Sequence, residues 1–367
     1  MKRLLSISLG LASLGWGQVS NGSDGALTGG GVFMPGARDA DSDNVYHFTS
    51  VNIGPTEALT LRAANMKAPG PVVFLVQGTV TIDGVLSLSG QSGGPINGPQ
   101  PVPGPGGFTA GHGPGAPGVT AIPGFASTYP PNSPCFGVHA TPLTGCGLIY
   151  GTTTLLPLIG GSGGGNSVAT WGGAGGGAIR IVAAGAVVLN GVGNISASGG
   201  AGGGSGGAIH LVAPSVTLGA GTLKLIAGGT GSMGRVRIDA ATTVPAVLTA
   251  AQITGVFERF PYPDAPIPLP KPGSLQVRVG GALVPANADA DLSIPDIQYT
   301  GGTPTLEVTA KNIPPGTAVH AVCKPTGGGT DVQVALPVLA GTFDLSTSSA
   351  SLPLTTATAR CAVQAHW

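Results

Sequence analysis

Charge is scarce in this chain. Only 8% of the 367 residues are Asp, Glu, Lys or Arg, against about 25% in an ordinary soluble domain. The 15 basic residues balance the 15 acidic ones, so the sequence carries no electrostatic footprint for nucleic acid or an anionic membrane face. Glutamate occurs only at Glu57, Glu258 and Glu307. A glycosidase-type pair, which needs two acids about 5–9 Å apart across a cleft, therefore has few candidates. Aromatic residues make up 5% and are scattered, which gives no stacking platform for sugars or bases. The four cysteines show no CxxC spacing and the histidines no HxxxH spacing, so structural zinc is a poor reading. No apolar run reaches the roughly 20 residues that cross a bilayer, and no transmembrane span is expected. No GxSxG elbow sits between a strand and a helix. The GxGxxG matches lie in glycine tracts with no helix to supply an anion-binding N-terminus.

What is abundant is glycine (66), proline (33) and small or β-branched residues. Hydrophobic residues make up 42%, too many for a solvated disordered chain. The glycines cluster without a strict period of three, which excludes collagen. Good helix formers seldom occur in series, so an all-β fold is expected.

The start reads as a secretory signal peptide over residues 1–17. Lys2 and Arg3 supply the charge, Leu4 to Leu14 the apolar stretch, and Gly15-Trp16-Gly17 the small residues before cleavage.

An internal repeat dominates the next section. Residues 176–183 read GGAIRIVA and residues 206–213 read GGAIHLVA, an offset of 30. A third copy begins at Arg235 (RVRIDA), and VVFLVQGTVTIDGVLSLSG from Val72 is an earlier relative. Each unit holds about three short alternating runs and a glycine cluster. That pattern predicts a parallel β-solenoid over residues 18–257, whose coils bury an inner face only by stacking. Alternation puts Ile179 and Ile181 inside, over Ile209 and Leu211, then Val236 and Ile238. Val73 and Leu75 are expected in the same inner columns. Glycines at the corners allow positive φ or close backbone approach. The competing reading is an antiparallel sandwich or barrel, with Asp83-Gly84 and Asn190-Gly191 as hairpin turns.

Between Asp83 and Arg180 no charged residue intervenes. Residues 91–170 read as a Gly/Pro-rich insertion that leaves the solenoid, since its prolines and glycines hold neither helix nor central strand. Residues 258–273 form a proline-rich spacer. Beyond it, residues 274–367 alternate in short runs such as LQVRV, TLEVTA and ARCAVQA, as a small β-sandwich does. An exported chain with an even cysteine count favours disulfides. Four cysteines allow three connectivities. Cys135–Cys146 and Cys323–Cys361 each fall within one compositional region, and the second pair is expected to bridge the two sheets.

The segments WGGAGGGAIRIVAAGAVVLNG and GGGSGGAIHLVAPSVTL resemble uncharacterised glycine-rich exported bacterial proteins. More loosely, residues 45–257 resemble right-handed parallel β-helix proteins of the pectin-lyase-like and adhesin kind. The C-terminal region is similar to small immunoglobulin-like modules of surface proteins. The resemblance implies a secreted or surface-displayed location and carries over no catalytic residue.

Two constellations remain. Asp39, Asp41 and Asp43 stand at alternate positions, oxygen-rich spacing that suits Ca²⁺. The set departs from an EF-hand, with Asn44 in place of the turn glycine and Ser50 in place of the bidentate Glu. A polar turn before a strand explains it equally. Arg180, His210 and Arg237 occupy equivalent repeat positions facing out of the solenoid. In register they form a cationic column able to grip a uronate-bearing polysaccharide, unless they are merely solvated. No other cofactor is implied. The expected function is non-enzymatic: a secreted structural or adhesive protein of the envelope or extracellular matrix, with envelope polysaccharide or other surface proteins as partners. The alternative is a carbohydrate-binding or polysaccharide-degrading β-helix protein.

Overall fold

The computed structural model describes residues 20–38, 42–68, 70–110, 150–165, 169–220, 224–263, 274–284, 303–311, 313, 315–325, 332–342, 345–353 and 359–366. The expected signal peptide, Cys135, Cys146, Asp39 and Asp41 lie outside them. Among the described residues there is no α-helix, one 3-10 turn at Ala63–Asn65, and otherwise strands and extended segments. No helix among them is long and apolar enough to cross a membrane.

The N-terminal strands come in successive units. The first supplies β1 (Ala26–Thr28) and β2 (Gly31–Val32), the second β3 (Val45–Phe48), β4 (Ser50–Ile53) and β5 (Ala58–Thr60). Next come β6 (Val72–Val76), β7 (Val80–Ile82) and β8 (Val85–Ser87), then β9 (Ala178–Ala183), β10 (Val187–Leu189) and β11 (Asn194–Ser196). Two further units hold β12 (Ala208–Leu218) with β13 (Leu225–Ile226), and β14 (Arg235–Val244) with β15 (Ile253–Thr254); β16 (Val256–Phe260) follows. Every pairing among them is parallel and joins like to like. Ladder one runs β3-β6-β9-β12-β14-β16. Ladder two runs β1-β4-β7-β10 and joins the C-terminal parts of β12 and β14. Ladder three runs β2-β5-β8-β11-β13-β15.

The register carries the thirty-residue repeat. Ile179 pairs with Ile209 and Ile181 with Leu211, and these pair in turn with Val236 and Ile238. Inward residues of all three ladders meet in one apolar cluster. Neither Asp83-Gly84 nor Asn190-Gly191 turns a hairpin, because β7 and β8 lie in different ladders, as do β10 and β11. At the N-terminal end, Phe74 meets Tyr46 edge-on at 5.9 Å and Phe48 at 5.1 Å.

Val73 and Leu75 do not point inward. Val73 pairs with Arg180 and Leu75 with Val182, which leaves Val72, Phe74 and Val76 in the core. The run VVFLV is buried at every position, so alternation gave no clue to its phase. The expected spacer boundary also moves. Glu258, Arg259 and Phe260 continue ladder one, opposite Arg237, Ile238 and Asp239.

The insertion is not an excursion where it is described. Backbone N–H groups of residues 171–178 donate to three neighbours in rotation. Trp171, Ala174 and Gly177 reach the carbonyls of Gly94, Gln91 and Leu88, while Gly173 and Gly176 reach Gly202 and Ser205. Gly175 and Ala178 reach Phe108 and Pro105. A repeat of three is the periodicity of polyproline II, unlike the period of two in a strand. The segments pack too closely for side chains. A Cβ on Gly175 would lie 1.8 Å from the Gly161 oxygen, and one on Gly176 1.9 Å from that of Ala197. Neither glycine has a left-handed φ. Close backbone approach, more than corner geometry, accounts for these tracts.

The C-terminal region forms two antiparallel sheets. The first contains β17 (Ser274–Val279), β18 (Ala282–Leu283), β19 (Thr305–Lys311), β22 (Ala340–Gly341) and β23 (Ser346–Ser351). The second contains β20 (Ala318–Pro325), β21 (Val332–Leu336) and β24 (Ala359–His366). Both contribute to one apolar cluster that includes Leu275, Val308, Val319 and Val363. Cys323 stands opposite Cys361 on the neighbouring strand of the same sheet, so the pair does not link the two sheets as expected.

Candidate functional site

Strands place alternate side chains on opposite faces. With Ile179, Ile209 and Val236 in the core, the outward columns of ladder one are fixed. The central one runs Val73, Arg180, His210, Arg237, Glu258. Val182, Val212, Asp239 and Phe260 stand beside it. The three cationic residues expected in one column are therefore brought together.

They are not solvated. Arg180 and His210 are wholly buried, Asp239 likewise, and the Arg237 side chain is 12% exposed. Residues 150–159 lie over this face. Leu155 and Leu158 pack on Ala178 and Ala208. Arg235 donates through Nη2 to the carbonyls of Tyr150 (3.1 Å) and Gly151 (3.0 Å). Arg237 donates through Nη1 to the carbonyl of Thr154 at 2.6 Å. The Tyr150 hydroxyl donates to the Gly160 carbonyl at 2.8 Å.

Beneath this cover the charged groups form a chain. The Arg237 guanidinium grips Asp239 through Nε (2.7 Å) and Nη2 (2.9 Å) and lies 4.1 Å from the Phe260 ring centre. Asp239 Oδ2 is 3.1 Å from His210 Nε2, and Arg180 Nε donates to His210 Nδ1 at 3.0 Å. Arginine has no acceptor. Nδ1 must therefore be bare, and the ring proton sits on Nε2, donated to Asp239. Burial is the main force lowering the His210 pKa to about 4, with nearby guanidiniums adding to it and Asp239 working against it. Burial lowers Arg180 to about 10. Burial acts to raise Asp239, but hydrogen bonds from His210 and Arg237 outweigh it and hold the carboxyl below its usual range.

The set thus orients a neutral imidazole between a guanidinium and a carboxylate, and two arginines hold carbonyls of residues 150–159. Alternation alone could have added Asp239, two residues beyond Arg237 on the same face. Nothing in the local pattern announced Tyr150, Gly151 and Thr154, which contribute through backbone oxygens from over 80 residues away in sequence.

Of the three residues expected to bind calcium, only Asp43 is among the described residues. Asp43 is exposed, and its carboxylate accepts from the Val45 N–H at 2.8 Å, a local turn before β3. No group of three or more metal-ligating acids, histidines or cysteines occurs among the described residues.

No protein-family model, curated protein or solved structure matches the chain.

Proposed function

We propose that the protein is an exported, non-enzymatic scaffold that serves a structural or adhesive role at the cell surface or in the extracellular matrix. In this reading the N-terminal units are coils of a β-solenoid, and the C-terminal sheets are an immunoglobulin-like sandwich. The observation that carries the proposal is that the ionisable residues of the repeat hold the fold together. Arg180, His210, Asp239, Arg235 and Arg237 are engaged with one another or with residues 150–159. A bridge between Cys323 and Cys361 fits an oxidising compartment, supported by their register and by the lack of a free thiol among the described cysteines. Fractionation of producing cells tests it: mature protein is expected outside the cytoplasm with its thiols blocked. Cytoplasmic protein with four free thiols overturns it.

One observation favours a carbohydrate-binding role on a different face from the one first considered. The outward residues of ladder two include the column Thr28, Asn52, Thr81, Val188, Thr217, Val244. All are exposed or half-buried, none is charged, and rungs recur about every 4.8 Å. Such a face suits a neutral, regular polysaccharide. A pull-down with neutral and acidic polysaccharides is expected to retain only the neutral ones, and Thr81→Lys with Thr217→Lys is expected to abolish retention. Retention unchanged by these variants, or confined to acidic polymers, overturns this second role.

A further inference from the structure

We propose that residues 150–159 form an acid-released strap over ladder one, kept closed by a His210 that carries a single proton. The proton inventory is the first ground. Closed, the ring accepts from Arg180 on one side and donates to Asp239 on the other. A second proton would have to sit on Nδ1, where it would confront the Arg180 Nε–H at hydrogen-bond distance.

The surroundings offer that proton no compensation. Arg180 faces the ring from β9, while Arg235, Arg237 and Asp239 lie on β14. Glu258 stands opposite Arg237 on β16, and Tyr150 lies on the strap. Three guanidiniums therefore already stand against two carboxylates. The β6 side of Arg180 is occupied by Val73. The other face of the sheet is the apolar core, with Ile179 and Leu211 flanking the column. Water to hydrate an imidazolium can enter only from the strap side.

The strap is tied to the same groups. The Thr154 carbonyl hangs on Arg237, Arg237 on Asp239, and Asp239 on His210. It also carries strain. Leu155 has φ 51°, a left-handed conformation that disfavours a residue with a side chain. Burial of Leu155 and Leu158 against Ala178 and Ala208 offsets this only while the strap is down. His210, with its pKa near 4, gains a charge as acid is added, while Asp239 is held below the ordinary carboxylate range.

Hydrogen exchange on the full chain, corrected for intrinsic rates, tests the strap. Protection of amides in residues 150–159 is expected to fall at least tenfold between pH 6.5 and 4, while β9 and β12 keep theirs. His210→Gln offers one acceptor and one donor without titrating, and its strap protection is expected to stay constant over that range. The imidazole nitrogen shifts of the wild type supply a readout that needs no variant: an Nε2–H tautomer at pH 7, with a titration that follows strap opening. Constant strap protection down to pH 3.5 overturns the proposal. So does equal loss in His210→Gln, loss together with β9 and β12, or a ring titration that leaves the strap unmoved.

Discussion

His210 accepts from Arg180 and donates to Asp239, and this fixes the sign of its contribution to stability. Its folded pKa of about 4 lies below the ordinary 6.5. The unfolded chain therefore binds the proton more readily throughout that interval. Stability from this group is complete above pH 6.5 and is lost as pH falls towards 4, by about 3 kcal/mol at most. Denaturant titrations at pH 7 and pH 4 are expected to differ by that order, and His210→Gln is expected to remove most of the difference. A wild type as stable at pH 4 as at pH 7 would count against the buried neutral ring. Asp239 is the other half of the test. Asp239→Asn leaves Arg237 and Arg180 buried with no carboxylate between them, and breaking a buried pair in this way costs about 3–5 kcal/mol. The midpoint in urea at pH 7 reads it. The repeat alignment made Arg180, His210 and Arg237 legible as one column. Their burial was not legible, because the strap that covers them comes from a neutral, proline-containing stretch with no pattern of its own.

At the scale of elements, two kinds of glycine are separable by substitution. Gly175 lies within 1.8 Å of a backbone oxygen once a Cβ is added, although its φ is not left-handed. Gly191 has φ 47° with nothing within 4 Å of a Cβ, and Gly94 has neither restriction. Gly175→Ala must force two backbone segments apart and is expected to cost more than about 3 kcal/mol, the upper end of ordinary overpacking. Gly191→Ala is expected to cost about 1 kcal/mol from backbone strain alone. Gly94→Ala is expected to be neutral or to stabilise by up to about 1 kcal/mol, by restricting the unfolded chain. Thermal melts of the three variants give the ranking, and equal effects would contradict the close-packed arrangement of residues 171–178. This contrast also marks the limit of what was readable beforehand. The strands β9, β10 and β11 were legible from the repeat, because Arg180 in β9 and Asn194 and Ser196 in β11 interrupt the apolar sequence at alternate positions, although the cover over β9 leaves it buried at all but Val182. Val72–Val76 is covered on both faces, so its phase was invisible and came out one residue off. The polyproline-type packing of 171–178 was hidden for another reason: glycine has no side chain through which a period of three could be expressed. In the C-terminal region, Ser346–Ser351 forms a strand whose serines give no hydrophobic alternation, although Ser346 and Ser348 are buried.

For the molecule as a whole, the two apolar clusters share no residue, one running from Leu27 to Ile253 and the other from Leu275 to Val363. They also differ in how sequence distance is bridged. In the first, paired strands lie roughly twenty to thirty residues apart, except where β6, β7 and β8 pair with β9, β10 and β11 across the whole insertion, as in Val72 with Ile179. In the second, adjacent strands are antiparallel, and β20 pairs with β24 from Ala318 opposite His366 to Pro325 opposite Ala359, with Cys323 opposite Cys361 between them. A bridge there closes a loop of 37 intervening residues. In the chain-entropy account this is worth roughly 3–4 kcal/mol to the second cluster and nothing to the first. Calorimetry at pH 7 is therefore expected to resolve two transitions. Reductant should lower the transition of the C-terminal cluster by many degrees, since a shift of 1 kcal/mol moves a domain of this size by about 4–8 °C. Cys323→Ala with Cys361→Ala should reproduce the lowered transition and make it insensitive to reductant. A single transition that moves as one on reduction would mean that the clusters unfold together, and the separation of scaffold and appended module would have to be abandoned.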